Sequence, residues 1–201
     1  MRSSTGATLG YFNYGQSDLN EDEVILIELF KKQLYSWLEL EDFARRDKLS
    51  KCSNRKAFDE DFEYACQCVA QSKWKSMSIL VVDINGLKKL NDNYGHDRGD
   101  LLISKSTQLM RTALDDESKL YRIGGDEFAV IAKNCGVEQL GCLINKLESA
   151  QEDKWIELSD NHRHAIQFSV GGASSQTAAL DKLVSIADEE MYCKKREFYS
   201  S

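Results

Sequence analysis

Two short stretches carry acidic side chains where the backbone can put them to chemical use. The first is Gly124-Gly125-Asp126-Glu127, set between strand-like runs at 120–123 and 128–132. Adjacent glycines accept positive φ, so the chain can reverse tightly, and without a Cβ they let a ligand approach the backbone. Two carboxylates on such a turn suit a hard cation and, through it, a phosphate. Taken alone, the same four residues also describe an ordinary solvated hairpin tip. The second stretch is Ser-Ile-Leu-Val-Val-Asp-Ile at 78–84, ending in Asp83 and Ile84. An apolar, β-rich run of this length is the pattern of a strand buried on both faces. An unpaired carboxylate there is costly, so a metal ion shared with the hairpin would account for both loci.

The rest of the chain must position these residues. Acidic residues at 18–23 start a helix that runs over 21–46, with Ile27, Phe30, Leu34, Trp37 and Ala44 at a 3–4 spacing that Glu41 interrupts. Residues 1–20 are a polar tail dotted with Gly and Ser. Asn54 caps a helix over 54–72, with Phe58, Phe62, Ala65, Cys66 and Val69 as its apolar face. A further helix starts near Gly99-Asp100 and another spans 136–150. Strands at 155–158 and 165–170 flank a polar loop, and a helix over 179–196 ends the pattern. The order α, β, α, β, β, α, β, β, α predicts an α+β sheet with helices packed on it.

Composition narrows the function. A length of 201 residues suits one domain with an appendage. A net charge of −7 argues against a general nucleic-acid binder but not against binding one nucleotide through metal ions. No apolar stretch approaches the ~18 residues of a membrane-spanning helix, and no signal peptide opens the chain. The six cysteines form no CxxC pair. Cys66 and Cys68 lie about 200° apart around a helix, so zinc is not expected and the thiols read as reduced core filler. With no proline, turns rely on Gly, Asn, Asp and Ser.

Residues 122–128 resemble the signature turn of the GGDEF family, the diguanylate cyclases. The run from Val82 through Asp83, Asn85-Gly86-Leu87-Lys88, Asn91, Gly95-His96 and Gly99-Asp100 is similar to the same family's nucleotide-binding stretch, in the right order and separation. Asp47, Leu49, Asn54, Arg55 and Phe58 match its opening motif, and 187–195 resembles its closing one. The resemblance implies a palm-like βαββαβ central sheet over 47–201, preceded by a linker helix at 21–46. It implies condensation of two GTP into cyclic di-GMP across a homodimer, and a bacterial, cytoplasmic setting. The metal ligands would be Asp83, the Ile84 carbonyl, Asp126 and Glu127, holding Mg²⁺ or, in its place, Mn²⁺. Asp126 would take the 3′-hydroxyl proton. The backbone of Gly86, Leu87 and Lys88 would cradle phosphates, with charge from Lys88 and Lys195. Asn91 and Asp100 would read guanine, and His96 and Gly125 would contact substrate. Residues 10–23 are similar to the end of a GAF-type sensor domain, which implies an upstream sensor.

Several positions depart from the family pattern. Lys51 replaces a glycine, Cys52 a leucine, Asn85 a second aspartate, and Tyr199 a downstream basic residue. The departures at Lys51, Asn85 and Tyr199 carry a second reading, a GTP-binding regulatory or dimerisation module without turnover. Where many members have an inhibitory R-x-x-D site, this chain has Asp115-Asp116-Glu117-Ser118. An acidic cluster there should repel the product.

Overall fold

The computed structural model describes residues 20–158 and 162–200. Of the expected tail at 1–20, all but Asn20 lies outside the described residues, as does most of the sensor-like stretch at 10–23. The chain divides into two units, 1–46 and 47–201.

In the first unit, helix α1 (Glu21–Ala44) stops two residues short of the expected end. Asn20 caps it. Its side-chain oxygen accepts from the Glu23 amide at 2.9 Å, and the Glu23 carboxylate accepts from the Asn20 amide at 2.9 Å. This reciprocal cap, with Glu21, Asp22 and Glu23 in the positive first turn, fixes the helix start. No residue of α1 is buried, and Leu26, Leu29, Phe30, Trp37, Leu40 and Phe43 are all exposed.

The second unit runs β1 (Ser53–Asn54), α2 (Arg55–Ala70), β2 (Met77–Ile84), α3 (Leu87–Tyr94), α4 (His96–Ala113), β3 (Ser118–Arg122) and β4 (Glu127–Lys133). It continues with α5 (Val137–Ala150), β5 (Trp155–Glu157), β6 (Arg163–Ala165), β7 (Phe168–Ser174), a 3₁₀ turn (Leu180–Lys182) and α6 (Leu183–Ser200). The central sheet has the order β1-β3-β4-β2-β7, all antiparallel except β1 against β3. It is the expected α+β architecture. From β2 to β7 it follows the βαββαβ order, with α3 and α4 together forming the first crossover. Among the described residues no helix is long and apolar enough to cross a membrane.

Side chains of a strand alternate between faces. Leu80, Val82 and Ile84 of β2 join one buried cluster with residues of α3, α4 and α5. Ile79 and Val81 join the other, with residues of α2 and α6. By the same alternation Asp83 points to the α6 side. Strand β7 brings α6 unusually close. A Cβ on Gly171 would collide with the Ala187 carbonyl and the Met191 amide of α6, so glycine is what lets helix and strand touch backbone to backbone. Beside it, the Gly172 amide donates to Glu190 at 3.1 Å.

One helix adds to the expected pattern and two local expectations are corrected. Residues 87–94 form a helix of their own between Gly86 and Gly95, both at positive φ (77° and 83°). Helix α4 begins at His96 rather than near Gly99, so Asp100 is an exposed residue within the helix and not its cap. The expected strand at 165–170 is two strands in different sheets. Strand β6 pairs only with β5, and the chain bends at Ile166 and Gln167, whose backbone groups bond Lys154 and Asn85, before β7 enters the central sheet.

Candidate active site

The β2–β4 register places Asp83 directly opposite Glu127. Opposed residues of an antiparallel pair share a face, so both carboxylates project to the α6 side. One residue on, the Ile84 amide donates to the Asp126 carbonyl at 3.0 Å, which ties the hairpin tip to the end of β2. Gly124 leaves room for Glu127: a Cβ there would come within 2.5 Å of its carboxylate. Gly125 faces open space. Helix α6 lays Lys195 over the group, with its Nζ 2.7 Å from the Asp83 carboxylate.

Charge is unevenly balanced here. Asp83 is 3% exposed. Burial pushes its carboxyl up, the negative charges of Asp126 and Glu127 add to the rise, and Lys195 only partly offsets them. Burial pulls the Lys195 ammonium down, but the Asp83 carboxylate and the charge of Asp126 outweigh it and the net direction is up. Asp83 and Asp126 thus draw on one lysine, while the negative charge of Glu127 also acts on Asp83. A set of hard oxygen donors with excess negative charge suits Mg²⁺. Among the described residues, however, no three acidic, His or Cys side chains are already gathered to hold an ion: Asp83 is turned to Lys195 and Glu127 lies over Gly124.

The hairpin is braced by residues whose role the sequence did not reveal. The Arg122 guanidinium donates to the Gly125 carbonyl from Nε at 3.2 Å and from a terminal nitrogen at 2.7 Å, and its other nitrogen donates to Asp47 at 2.9 Å. Asp47 also accepts from the Ser50 amide and hydroxyl, each at 2.7 Å. Burial pushes the Asp47 carboxyl up, but these donors outweigh it and hold it below its usual range. The opening motif and the signature turn are therefore one hydrogen-bonded assembly. Inside its loop, Lys51 takes φ 58°, the left-handed backbone that favours the glycine it replaces. Cys52 fills the core in place of leucine.

On the other side of Asp83, β2 runs through Asn85 and Gly86 into α3. Asn85 is buried and exchanges hydrogen bonds with the Ser169 hydroxyl, at 3.1 and 3.2 Å, so its amide serves the β2–β7 junction. The side chain of Leu87 is in the core, leaving only its backbone to the site, whereas Lys88 is exposed. The first amides of a helix lack intrahelical acceptors, which suits Gly86, Leu87 and Lys88 to an anion. His164 of β6 stands over Gly86, 3.6 Å from where a Cβ would be. Its pKa is lowered first by burial and then by Lys89. The Gly86 amide donates to the Tyr199 hydroxyl at 3.0 Å.

Helices α3 and α4 face each other and carry the remaining expected contacts. A Cβ on Gly99 would collide with the Asn91 amide, so Asn91 nests where α4 has no side chain, next to Asp100. Among the described residues its Oδ1 is buried without a hydrogen-bond partner. Such an orphaned acceptor is costly unless a ligand donates to it. His96, the first residue of α4, is exposed.

The chain is similar to known proteins of one family. The model of the family described as diguanylate cyclase, GGDEF domain, matches residues 44–199. Over 179 residues the chain is 30% identical to diguanylate cyclase DgcS of Shewanella oneidensis, covering 88% of this chain but 58% of that protein. The coiled coil and GGDEF domain of DgcB from Caulobacter crescentus, solved in complex with c-di-GMP, superposes with a TM-score of 0.75 at 23% identity, covering 88% of this chain and 92% of that one. The GGDEF domain of the same protein, also with c-di-GMP, gives 0.70 at 26% identity, covering 77% and 89%. The chain belongs to the diguanylate cyclase GGDEF domain family.

Proposed function

We propose that this chain is a diguanylate cyclase that joins two GTP molecules into cyclic di-GMP and releases two pyrophosphates. The observation that carries the reading is the β2–β4 register, which sets Asp83 opposite Glu127 with Asp126 tied in beside them. Asp83, Asp126, Glu127 and the Ile84 carbonyl would hold Mg²⁺ or Mn²⁺. When bound, the metal supplies charge neutralisation at the phosphates and activation of the attacking hydroxyl. Asp126 accepts the 3′-hydroxyl proton as that oxygen attacks the α-phosphorus of the other nucleotide and pyrophosphate leaves. The Gly86, Leu87 and Lys88 amides hold the terminal phosphates, with positive charge from Lys88 and Lys195. The orphaned Asn91 Oδ1 accepts from a donor on the guanine edge, and the exposed Asp100 carboxylate accepts from N1 and N2. His96 and Gly125, both exposed, would contact the substrate.

One domain holds one GTP, so the reaction needs two domains face to face. The exposed apolar side chains of α1 suit pairing with the same helix of a second copy, which makes 21–46 the linker that sets the two sites against each other. A sensor domain upstream and a cytoplasmic location complete this reading. The turn at 115–118 presents exposed carboxylates and no guanidinium, so product is not expected to bind there.

The Lys195–Asp83 pair and the placement of Glu127 over Gly124 favour a second reading, a regulatory domain that binds GTP without turning it over. Pyrophosphate release from GTP, followed while Mg²⁺ is titrated at high protein concentration, separates the two. Metal-dependent release supports the cyclase. Nucleotide binding with no release at any Mg²⁺ or Mn²⁺ concentration supports the regulatory module.

A further inference from the structure

We propose that Tyr199 is a gate on the phosphate subsite, competing with the triphosphate for the Gly86 amide. This rests on the reading of the Gly86–Lys88 backbone as the phosphate cradle. Lys195 and Tyr199 are four residues apart on α6 and therefore share a face of the helix. That face is held against the site by the backbone contact at Gly171. Lys195 reaches Asp83 at 2.7 Å, and the Tyr199 hydroxyl accepts from the Gly86 amide at 3.0 Å. One helix end thus engages a proposed metal ligand and a proposed phosphate donor together.

An amide proton directed at a phenol oxygen is not available to a phosphate oxygen, so binding of the triphosphate at Gly86 requires the hydroxyl to leave. The gate is weak by construction. Tyr199 is 60% exposed and its ring packs edge-on against Phe198, 5.0 Å between centroids. A neutral hydrogen bond at such a place contributes little net stability, and a charged phosphate oxygen is the stronger acceptor. Tyr199 therefore yields to nucleotide and lowers its affinity without blocking it. A basic residue at this position would attract the phosphates; the tyrosine competes with them.

The test is Tyr199→Phe in the full chain. The substitution keeps the ring and its contact with Phe198 and removes only the hydroxyl. Two readouts are needed: the ¹⁵N-glycine NMR signal of Gly86 without nucleotide, and GTP affinity by calorimetry with Ca²⁺ in place of Mg²⁺ to suppress turnover. The expected result is a shifted Gly86 amide and GTP binding about threefold to tenfold tighter, the range a single neutral hydrogen bond spans. An unmoved Gly86 amide, or a moved amide with equal or weaker GTP binding, overturns the gate and leaves the functional reading standing. Failure of both proteins to bind GTP refutes the functional reading, and the gate with it.

Discussion

Arg122→Ala tests how the opening motif and the signature turn hold each other. The Arg122 side chain is 14% exposed and that of Asp47 25%, so the pair is half-sheltered and better than a surface ion pair. Truncation removes two bonds to the Gly125 carbonyl and one to Asp47. A hydrogen bond to a charged group is worth about 1.5–3 kcal/mol when one partner is deleted. Both acceptors regain some water and the Ser50 donors stay on Asp47, so the three losses do not sum. We expect about 2–3 kcal/mol of destabilisation at neutral pH. Arg122→Lys should recover less than half of it, because an ammonium cannot fork between two acceptors. The sign of the pH dependence follows from Asp47, whose folded-state pKa is depressed. Its contribution is complete above the unfolded value of about 3.9 and is lost as pH falls through the lower folded value. The gap between parent and Arg122→Ala should therefore be constant from pH 7 to 5 and shrink below about pH 4. Urea unfolding followed by tryptophan fluorescence at each pH measures it. A loss under about 0.5 kcal/mol at pH 7, within the range of an ordinary surface substitution, would refute the brace. A gap that widens in acid would refute the role of Asp47.

Lys51→Gly should stabilise the domain by about 0.5–1 kcal/mol, because relief of the left-handed lysine exceeds the entropy that glycine adds to the unfolded chain; a lower urea midpoint would contradict this. Gly171→Ala should cost about 2–3 kcal/mol or more, because the new methyl meets α6 backbone that cannot turn aside. The same substitution should reduce turnover beyond its effect on stability by lifting Lys195 away from Asp83, and a near-neutral effect on both would refute the close packing. Removing residues 1–46 should lower specific activity most at low protein concentration. Specific activity that does not change on dilution, with or without the helix, would count against pairing through α1.

The sheet was largely legible because its signals are local. The apolar run at 78–84 is β2, and the flanks of Gly124-Gly125-Asp126-Glu127 are β3 and β4. Helix α3 was not, since it is only eight residues long, lies between two glycines and buries only Leu87 and Leu90. The break between β6 and β7 was hidden because Ala165 to Val170 reads as one run; what divides it is the choice of neighbouring strand. Gly171 and Gly172 weaken the strand signal of β7, yet the first leaves space for the backbone of α6 and the second for Leu140 and Ile144 of α5. Of the site, residue types identified the carboxylates, and resemblance identified the phosphate loop and the guanine contacts. The Arg122–Asp47 brace, the Asn91 nest at Gly99 and the Tyr199–Gly86 bond stayed hidden. Each joins side chains or backbone brought together by tertiary packing, and no local spacing encodes it.

The most direct test of the central claim is to incubate the purified chain with GTP and Mg²⁺ and identify the product by mass spectrometry beside an Asp126→Ala control. The account predicts cyclic di-GMP and pyrophosphate from the parent and neither from the control. Product formed equally by both proteins would contradict the placement of the chemistry at the hairpin, and no product from the parent at high protein concentration with either Mg²⁺ or Mn²⁺ would contradict the cyclase itself.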